Sequence, residues 1–444
     1  MPAADTLFDL PTPAQDPVLP ICWSYGMGAE STAGVMRTLL EPGFGPPELL
    51  DDLSNLIVMT AQTGDEWAST CELVERFVLP ILTEHHVRMV EVARAGPAVA
   101  DGIVVMQDTR EPVHLHSDPD MHGFLSLSRE NRTNGVMPQL GGTRKCSIKA
   151  KGWPLDQWRA RELGTTPYLH AVGYNVDEGS RILTDSAVQF GGRRRPFYPI
   201  HEIGWTRQQC RQYLYDLFGV WWPKSLCRQC CFVSRDEWPE QLARFNAAPA
   251  EAVHHLIDEY MAVALNRHAG LFGRAGTLAA RLRRDDAAAV LELLEQELAA
   301  IEWALYRVRR CYFAPAQAWR SVEIAHRGNR DTEQQLLHRL ALGLDLEPVT
   351  EAGHTRLWLA HPTGDHYPHT ETFYVAAPAE VRPKQRAGFE PRFAAHAADQ
   401  LRELDSAAAD LLHALTDATF SPLPSIQSSP RLPDLHTTRT EAST

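Results

Sequence analysis

"CWSYGMGAEST", residues 22–32, joins an apolar run to a segment with helical periodicity. Gly26 and Gly28 let backbone amides approach another molecule closely. Ser31 and Thr32 follow where a helix would begin, and unpaired amides at a helix N-terminus favour an anion. Upstream, "LPICWSYG" reads as a buried strand; downstream, Glu30 to Leu40 reads as a helix.

The same alternation continues outward. "LIVMTAQTG" from Leu56 is a second strand, followed by a helix with Val74, Phe77, Val78 and Ile81 on one face and Pro80 set to kink or end it. "VRMVEVA" from Val87 is a third strand, "YLHAVGY" from Tyr168 a fourth, and "PFYPI" from Pro196 a short further one. Strands alternating with helices predict an α/β fold, a doubly wound and mostly parallel sheet covered on both faces. Ligands of such sheets bind at the carboxyl ends of the strands. Both the opening stretch and "TGDEW" (Thr63 to Trp67) fall at such ends.

Beyond this the character changes. From Trp238 to about Arg310 the chain is rich in Ala, Leu, Arg and Glu and reads as helices. Leu291, Leu294, Leu298, Ile301, Leu305 and Val308 fall in steps of three and four. That seam packs within its own domain or against a protein partner. The predicted organisation is a flexible arm over 1–19, an alternating α/β domain over 20–237, a mainly helical extension over 238–345, a mixed region over 346–420 and a disordered tail over 421–444.

Composition narrows the function. The 444 residues are 44% hydrophobic, enough for a large core, and no apolar run reaches membrane-spanning length. The first twenty residues carry acids and prolines rather than a basic, then apolar, leader. A cytoplasmic protein with reduced thiols is expected, so the eight cysteines need a reason other than disulfides. A net charge of −13 argues against broad binding to nucleic-acid backbone, though not against a local basic patch.

Six segments in order carry a resemblance. Gly26-Met27-Gly28-Ala29-Glu30-Ser31-Thr32 resembles the PP-loop, S-G-G-x-D-S, with Gly26 at the first serine, Met27 at a glycine and Glu30 at the aspartate. Thr63-Gly64-Asp65-Glu66 resembles the D-T-G-x-x-x-P-E region of phosphoadenosine-phosphosulfate (PAPS) reductases. "RKCSIKAKGWPLDQW" from Arg144, "AVGYNVDEGSRI" from Ala171, "FYPIHEIGWTRQQCRQYL" from Phe197 and "CRQCCF" from Cys227 resemble that family's later segments. Over about residues 20–235 the chain is similar to the PAPS-reductase-like branch of the adenine nucleotide α-hydrolases, the PP-loop ATP pyrophosphatases.

The resemblance implies an adenine nucleotide held by Ser24, Gly26, Met27, Gly28, Glu30, Ser31, Thr32, Thr63 and Gly64. It implies ATP cleaved between the α and β phosphates, an adenylated acceptor, and catalytic roles for Ser31, Asp65, Arg144 and Arg181. Glu30 caps the helix or binds Mg²⁺, and Asp65 with Glu66 is either a metal pair or a helix cap. Arg193-Arg194-Arg195 reads as a solvated loop. Cys146, Cys227, Cys230 and Cys231 resemble the ligands of a 4Fe–4S cluster, with zinc and ordinary buried thiols as the alternatives. Cys22, Cys71, Cys210 and Cys311 read as core.

Three functions remain open on the residues alone. One is an adenylating enzyme transferring sulfur to a nucleic acid or small acceptor, with a nucleic-acid or sulfur-carrier partner. A PAPS or adenylyl-sulfate reductase is the second, opposed by the lack of a C-terminal E-C-G-x-H motif. The third is a catalytically degraded nucleotide-binding component of a DNA-modification or anti-phage complex.

Overall fold

A computed structural model describes residues 19–49, 52–140, 144, 146–188, 192–314, 317–361 and 366–417. The expected tail, and the expected arm up to residue 18, lie outside the described residues. So does Lys145.

Six strands form the first sheet: β1 (Ile21–Ser24), β2 (Leu56–Ala61), β3 (Arg88–Arg94), β4 (Ile103–Thr109), β5 (Tyr168–Val172) and β6 (Arg194–Phe197). Their order is β4-β3-β2-β1-β5-β6. All neighbours are parallel except β4, which closes one edge antiparallel to β3. The chain leaves β1 in one direction to build β2 and β3, then returns to β1's other side for β5 and β6. A crevice therefore opens between the carboxyl ends of β1 and β5.

Period-two alternation divides the sheet's two faces. Ile21, Trp23, Val58 and Met89 pack with the helices Ala29–Leu40 and Arg207–Phe218. Cys22, Ile57, Met59 and Val90 pack under Trp158 of the helix Trp153–Leu163. The helix after β2 behaves as its proline requires. It runs Ala68–Leu73, widens into a π-helical stretch at Val74–Val78, and resumes as Leu79–Glu84 with Pro80 in the first turn. Val74 and Val78 are fully buried there.

Residues 238–345 hold two long strands of a second sheet as well as helices. Helices Trp238–Ala247, Pro249–Leu265, Leu278–Arg284 and Ala288–Ala300 end at Ala300, and the chain then enters a second sheet. Its strands are β7 (Trp303–Ala314), β8 (Gln317–Gly328), β9 (Val349–Glu351), β10 (His354–Ala360), β11 (His369–Pro378) and β12 (Lys384–Gln385). They are antiparallel throughout, in the order β12-β8-β7-β11-β10-β9. One face meets the helices of 238–300, and the other meets Arg330–Gly343, Phe389–Ala394 and Asp399–Asp417. Leu305 and Val308, expected on the same face of a helix, lie on β7 and point into opposite layers. Tyr306, Val308, Tyr312 and Phe313 favour the extended backbone that the leucine spacing had masked.

Cys22, Cys71, Cys210 and Cys311 are buried as expected. Among the described residues no helix is long and apolar enough to cross a membrane.

Candidate functional site

β1 ends at Ser24, and the loop after it is held from behind. The Tyr25 amide bonds the Met59 carbonyl on β2 at 2.7 Å. Ser225 Oγ donates to the Gly26 carbonyl at 2.6 Å and Trp222 Nε1 to the Met27 carbonyl at 3.0 Å. The segment around 222–230 therefore straps the loop. It is itself paired to the strand-end segment after β2 through a Glu66–Cys227 bridge and an Arg228 amide on the Asp65 carbonyl, 2.9 Å. With those carbonyls engaged, the helix Ala29–Leu40 begins at Gly28, which offers no side-chain cap. The first helical bond runs from the Thr32 amide to the Gly28 carbonyl at 2.9 Å, leaving the Ala29, Glu30 and Ser31 amides outside the ladder.

A cavity of about 350 Å³ opens in front of this turn. Ser24, Gly26, Gly28, Glu30 and Ser31 line it from the β1 end, Thr63 from the β2 end, and Gly173, Tyr174 and Arg181 from the β5 end. Arg144, Cys146, Cys227 and Cys230 complete the expected residues on its wall. Gly173 is required by packing, because a Cβ there would lie 2.7 Å from Ser31 Cα. Neither Gly26 nor Gly28 lies in the left-handed region. Met27, where the resembled loop carries glycine, is the residue in the left-handed region, with φ +58°.

Several expected residues stand elsewhere. Met27 is buried in the core, and Thr32 is buried with its hydroxyl 3.1 Å from that of Tyr25. Gly64 does not line the cavity. Asp65 and Glu66 each have a protein partner. Asp65 turns away to accept from the Ser128 amide at 2.8 Å, and Glu66 pairs with Lys151. Arg194 is not a solvated loop residue: it lies on β6, buried against His170 and Asp185. Arg207, Lys224, Ser225, Tyr174 and Phe232 line the cavity without having been singled out. No local spacing marks them, since they arrive from the strap, from the turn after β5 and from a helix start distant in sequence.

Among the described residues, five cations line the cavity. Arg207 bridges Glu30 and Glu237, Lys224 pairs with Glu237, Lys151 with Glu66 and Arg181 with Glu178. Arg181 also lies over the Tyr174 ring at 4.5 Å. Arg144 stacks on Phe232 at 4.6 Å and has no carboxylate partner among the described residues. Burial works against the Lys151 ammonium, yet the adjacent Glu66 carboxylate outweighs it and raises its pKa, so it stays charged.

Ser24 is prepared as a donor. Arg194 Nε donates to His170 Nδ1 at 2.6 Å, so the ring proton is assigned to Nε2, 2.7 Å from Ser24 Oγ. Burial first, then the Arg159 and Arg194 charges, hold the His170 pKa well below 6.5 and the ring neutral. Because Oγ accepts from His170, the Ser24 hydroxyl proton is left for the cavity.

The thiols sit close without forming a ligand set. Cys227 and Cys230 are joined by a turn, with the Cys230 amide 3.0 Å from the Cys227 carbonyl, and they share a side-chain hydrogen bond. Cys146 faces the same cavity, whereas Cys231 is 1% exposed and packs with Trp67 and Met137 in the other core. Among the described residues no three His, Cys, Asp or Glu side chains converge as metal ligands. The arrangement does not fit a four-cysteine cluster, and nothing below is derived through one.

No protein-family model, curated protein or solved structure matches this chain.

Proposed function

We propose that the chain binds ATP, or a close adenine nucleotide, in the crevice between β1 and β5 and cleaves it between the α and β phosphates to adenylate an acceptor. One observation carries the reading: the free first-turn amides of Ala29–Leu40 face a cation-rimmed cavity at the reversal point of a parallel sheet. The adenine nucleotide α-hydrolase fold is part of the same proposal, supported by the glycine-bearing turn after β1.

The phosphates rest on the amides of Ala29, Glu30 and Ser31 and on the Ser24 hydroxyl. Arg144 and Lys151 face the charge that develops on the leaving pyrophosphate. An acceptor oxygen forms the bond to the α-phosphorus, and the α–β bridging bond breaks. Pyrophosphate carries away the electron pair, and the acceptor's proton passes to solvent. Mg²⁺ brought in with the nucleotide would neutralise phosphate charge, with Glu30 as the protein carboxylate nearest the loop. Sulfur transfer would follow when a sulfide-level donor forms the bond to the activated acceptor atom and AMP leaves with the acceptor's oxygen and the electron pair of the broken bond.

A binding-only role is the second reading, favoured by Glu30 being tied to Arg207 and Asn175 and by Asp65 lying outside the cavity. Pyrophosphate release from ATP separates the two. For the shared nucleotide site, the test is Gly28→Val, whose branched side chain would fill the space between Ser225 and Glu30. Calorimetric ATP affinity is expected to vanish in the folded variant, and unchanged affinity would sink the proposal.

A further inference from the structure

A second cavity, of about 870 Å³, adjoins the first. Leu127, Cys146 and Phe232 line both, so the two share one wall. The second sheet contributes to its lining: Arg320 from β8 and Lys384 from β12 reach Asn134, and Lys149 and Ala150 line it from the first domain. The cavity is therefore assembled only when both sheets are in place.

Its electrostatics run against those of the whole chain, whose net charge is −13. Glu130 is the carboxylate on its wall, and that group is already shared by Arg94 and Lys149. Arg320 donates to two backbone carbonyls, Asn134 at 2.6 Å and Gly135 at 3.3 Å, and has no carboxylate partner among the described residues. Among the described residues Lys384 reaches the Asn134 side-chain oxygen, at 3.1 Å, and no carboxylate. Burial pulls the Arg320 guanidinium pKa down to about 10, the sign of a cation held without a counter-charge. An uncompensated, partly buried cation is unfavourable unless an anion completes the site. The volume lies within the ordinary range for small-molecule sites.

We infer that this second cavity is the acceptor site, and that the acceptor carries a phosphate ester whose anion is held by Arg320 and Lys384. A phosphate ester offers several acceptor oxygens to a guanidinium and an ammonium arriving from different strands. The acceptor's reactive end lies at the border formed by Leu127, Cys146 and Phe232, where this cavity meets the nucleotide cavity. The assignment of acceptor rests on the adenylating reading; the anion site itself does not. It gives the second sheet, which the resemblance does not cover, a share in the reaction.

The test measures anisotropy of a fluorescein-labelled single-stranded tetranucleotide on the full chain, with ribose 5-phosphate and inorganic phosphate as competitors. Lys384→Gln, at an exposed position, is expected to weaken binding about tenfold. The same change should reduce the salt slope by about 0.7. Arg320→Gln should act alike if it folds. ATP affinity in Lys384→Gln should stay within about twofold, the site being separate. Displacement by ribose 5-phosphate at equal concentration identifies a small ester, and its failure to displace identifies a strand; either supports the site. Equal affinity of wild type and Lys384→Gln for all three probes overturns it. Lys384-dependent binding in a protein that does not bind ATP would retain the anion site and remove the adenylating reading.

Discussion

Gly173 shows how one residue sets the crevice. It follows β5 directly, and the backbone of Ser31 lies where its side chain would be. Gly173→Ala must push the first turn of Ala29–Leu40 away from β5, because the obstacle is backbone. A loss of about 1–3 kcal/mol in urea unfolding is expected, together with a larger fractional loss of ATP affinity; full affinity would mean the turn does not touch the ligand. Asp65 supplies a pH-dependent case. Burial is the largest influence on its carboxyl, His255 and Ser128 partly offset it, and the pKa is raised above 3.8. The folded state therefore prefers the protonated form. Its contribution is intact below about 3.8 and is lost as pH rises through the folded value. Asp65→Asn keeps an oxygen for the Ser128 amide without the charge. Its urea midpoint should exceed wild type at pH 7, with the gap closing below pH ~3.8; a lower midpoint at pH 7 would show the charge to be needed. Gly173 was legible in the sequence as part of a motif, and Ser24, Gly28 and Ser31 as part of a loop. Asp65 was misread because its neighbours Ser128 and His255 are distant in sequence.

At the scale of elements, regular periodicity was readable wherever one face was apolar over two or more turns or a whole strand. β1, β2, β3 and β5 and the helix after β2 follow that rule. The rule failed at β7, where Leu305 and Val308 extended a helical spacing past Ala300 while Arg307 and Arg309 alternated with Tyr306 and Val308. Arg309 is held by Glu323 and Glu390, so two strands and a helix decide what local spacing left ambiguous. The strap around 222–230 was visible only as its cysteines. In it the Cys227 thiol donates a hydrogen bond that lowers the Cys230 pKa to about 7, against burial and with help from the Phe232 amide, Lys224 and Lys151. Iodoacetamide at neutral pH should modify Cys230 before the other thiols, with half-maximal rate near pH 7, and saturating ATP should slow it. Mass spectrometry locating the first adduct elsewhere, or no adduct until pH 9, would refute that arrangement.

Over the whole molecule, the helix Leu127–Asn134 joins the two sheets. Its first amide bonds the Thr63 carbonyl at the end of β2, 2.9 Å away, and its last residues receive Arg320 and Lys384 from the second sheet. Between them, Arg132 Nε meets Asp258 at 2.6 Å, and its Nη2 meets the His254 carbonyl at 3.1 Å, both on Pro249–Leu265. Asp258 is fully buried, and its second oxygen lies 3.6 Å from His255, too far for a hydrogen bond. Removing Arg132 thus leaves a buried carboxylate without its main counter-charge. Arg132→Ala is expected to cost about 3–5 kcal/mol. The loss falls on the junction rather than on either core, so calorimetry should turn one unfolding transition into two. Arg132→Lys, which keeps the charge but not the fork, should recover part of the stability and restore the single transition. A single transition in Arg132→Ala at unchanged temperature would mean that the apolar contacts of Trp67 and Met137 with the second core hold the sheets together without the ion pair.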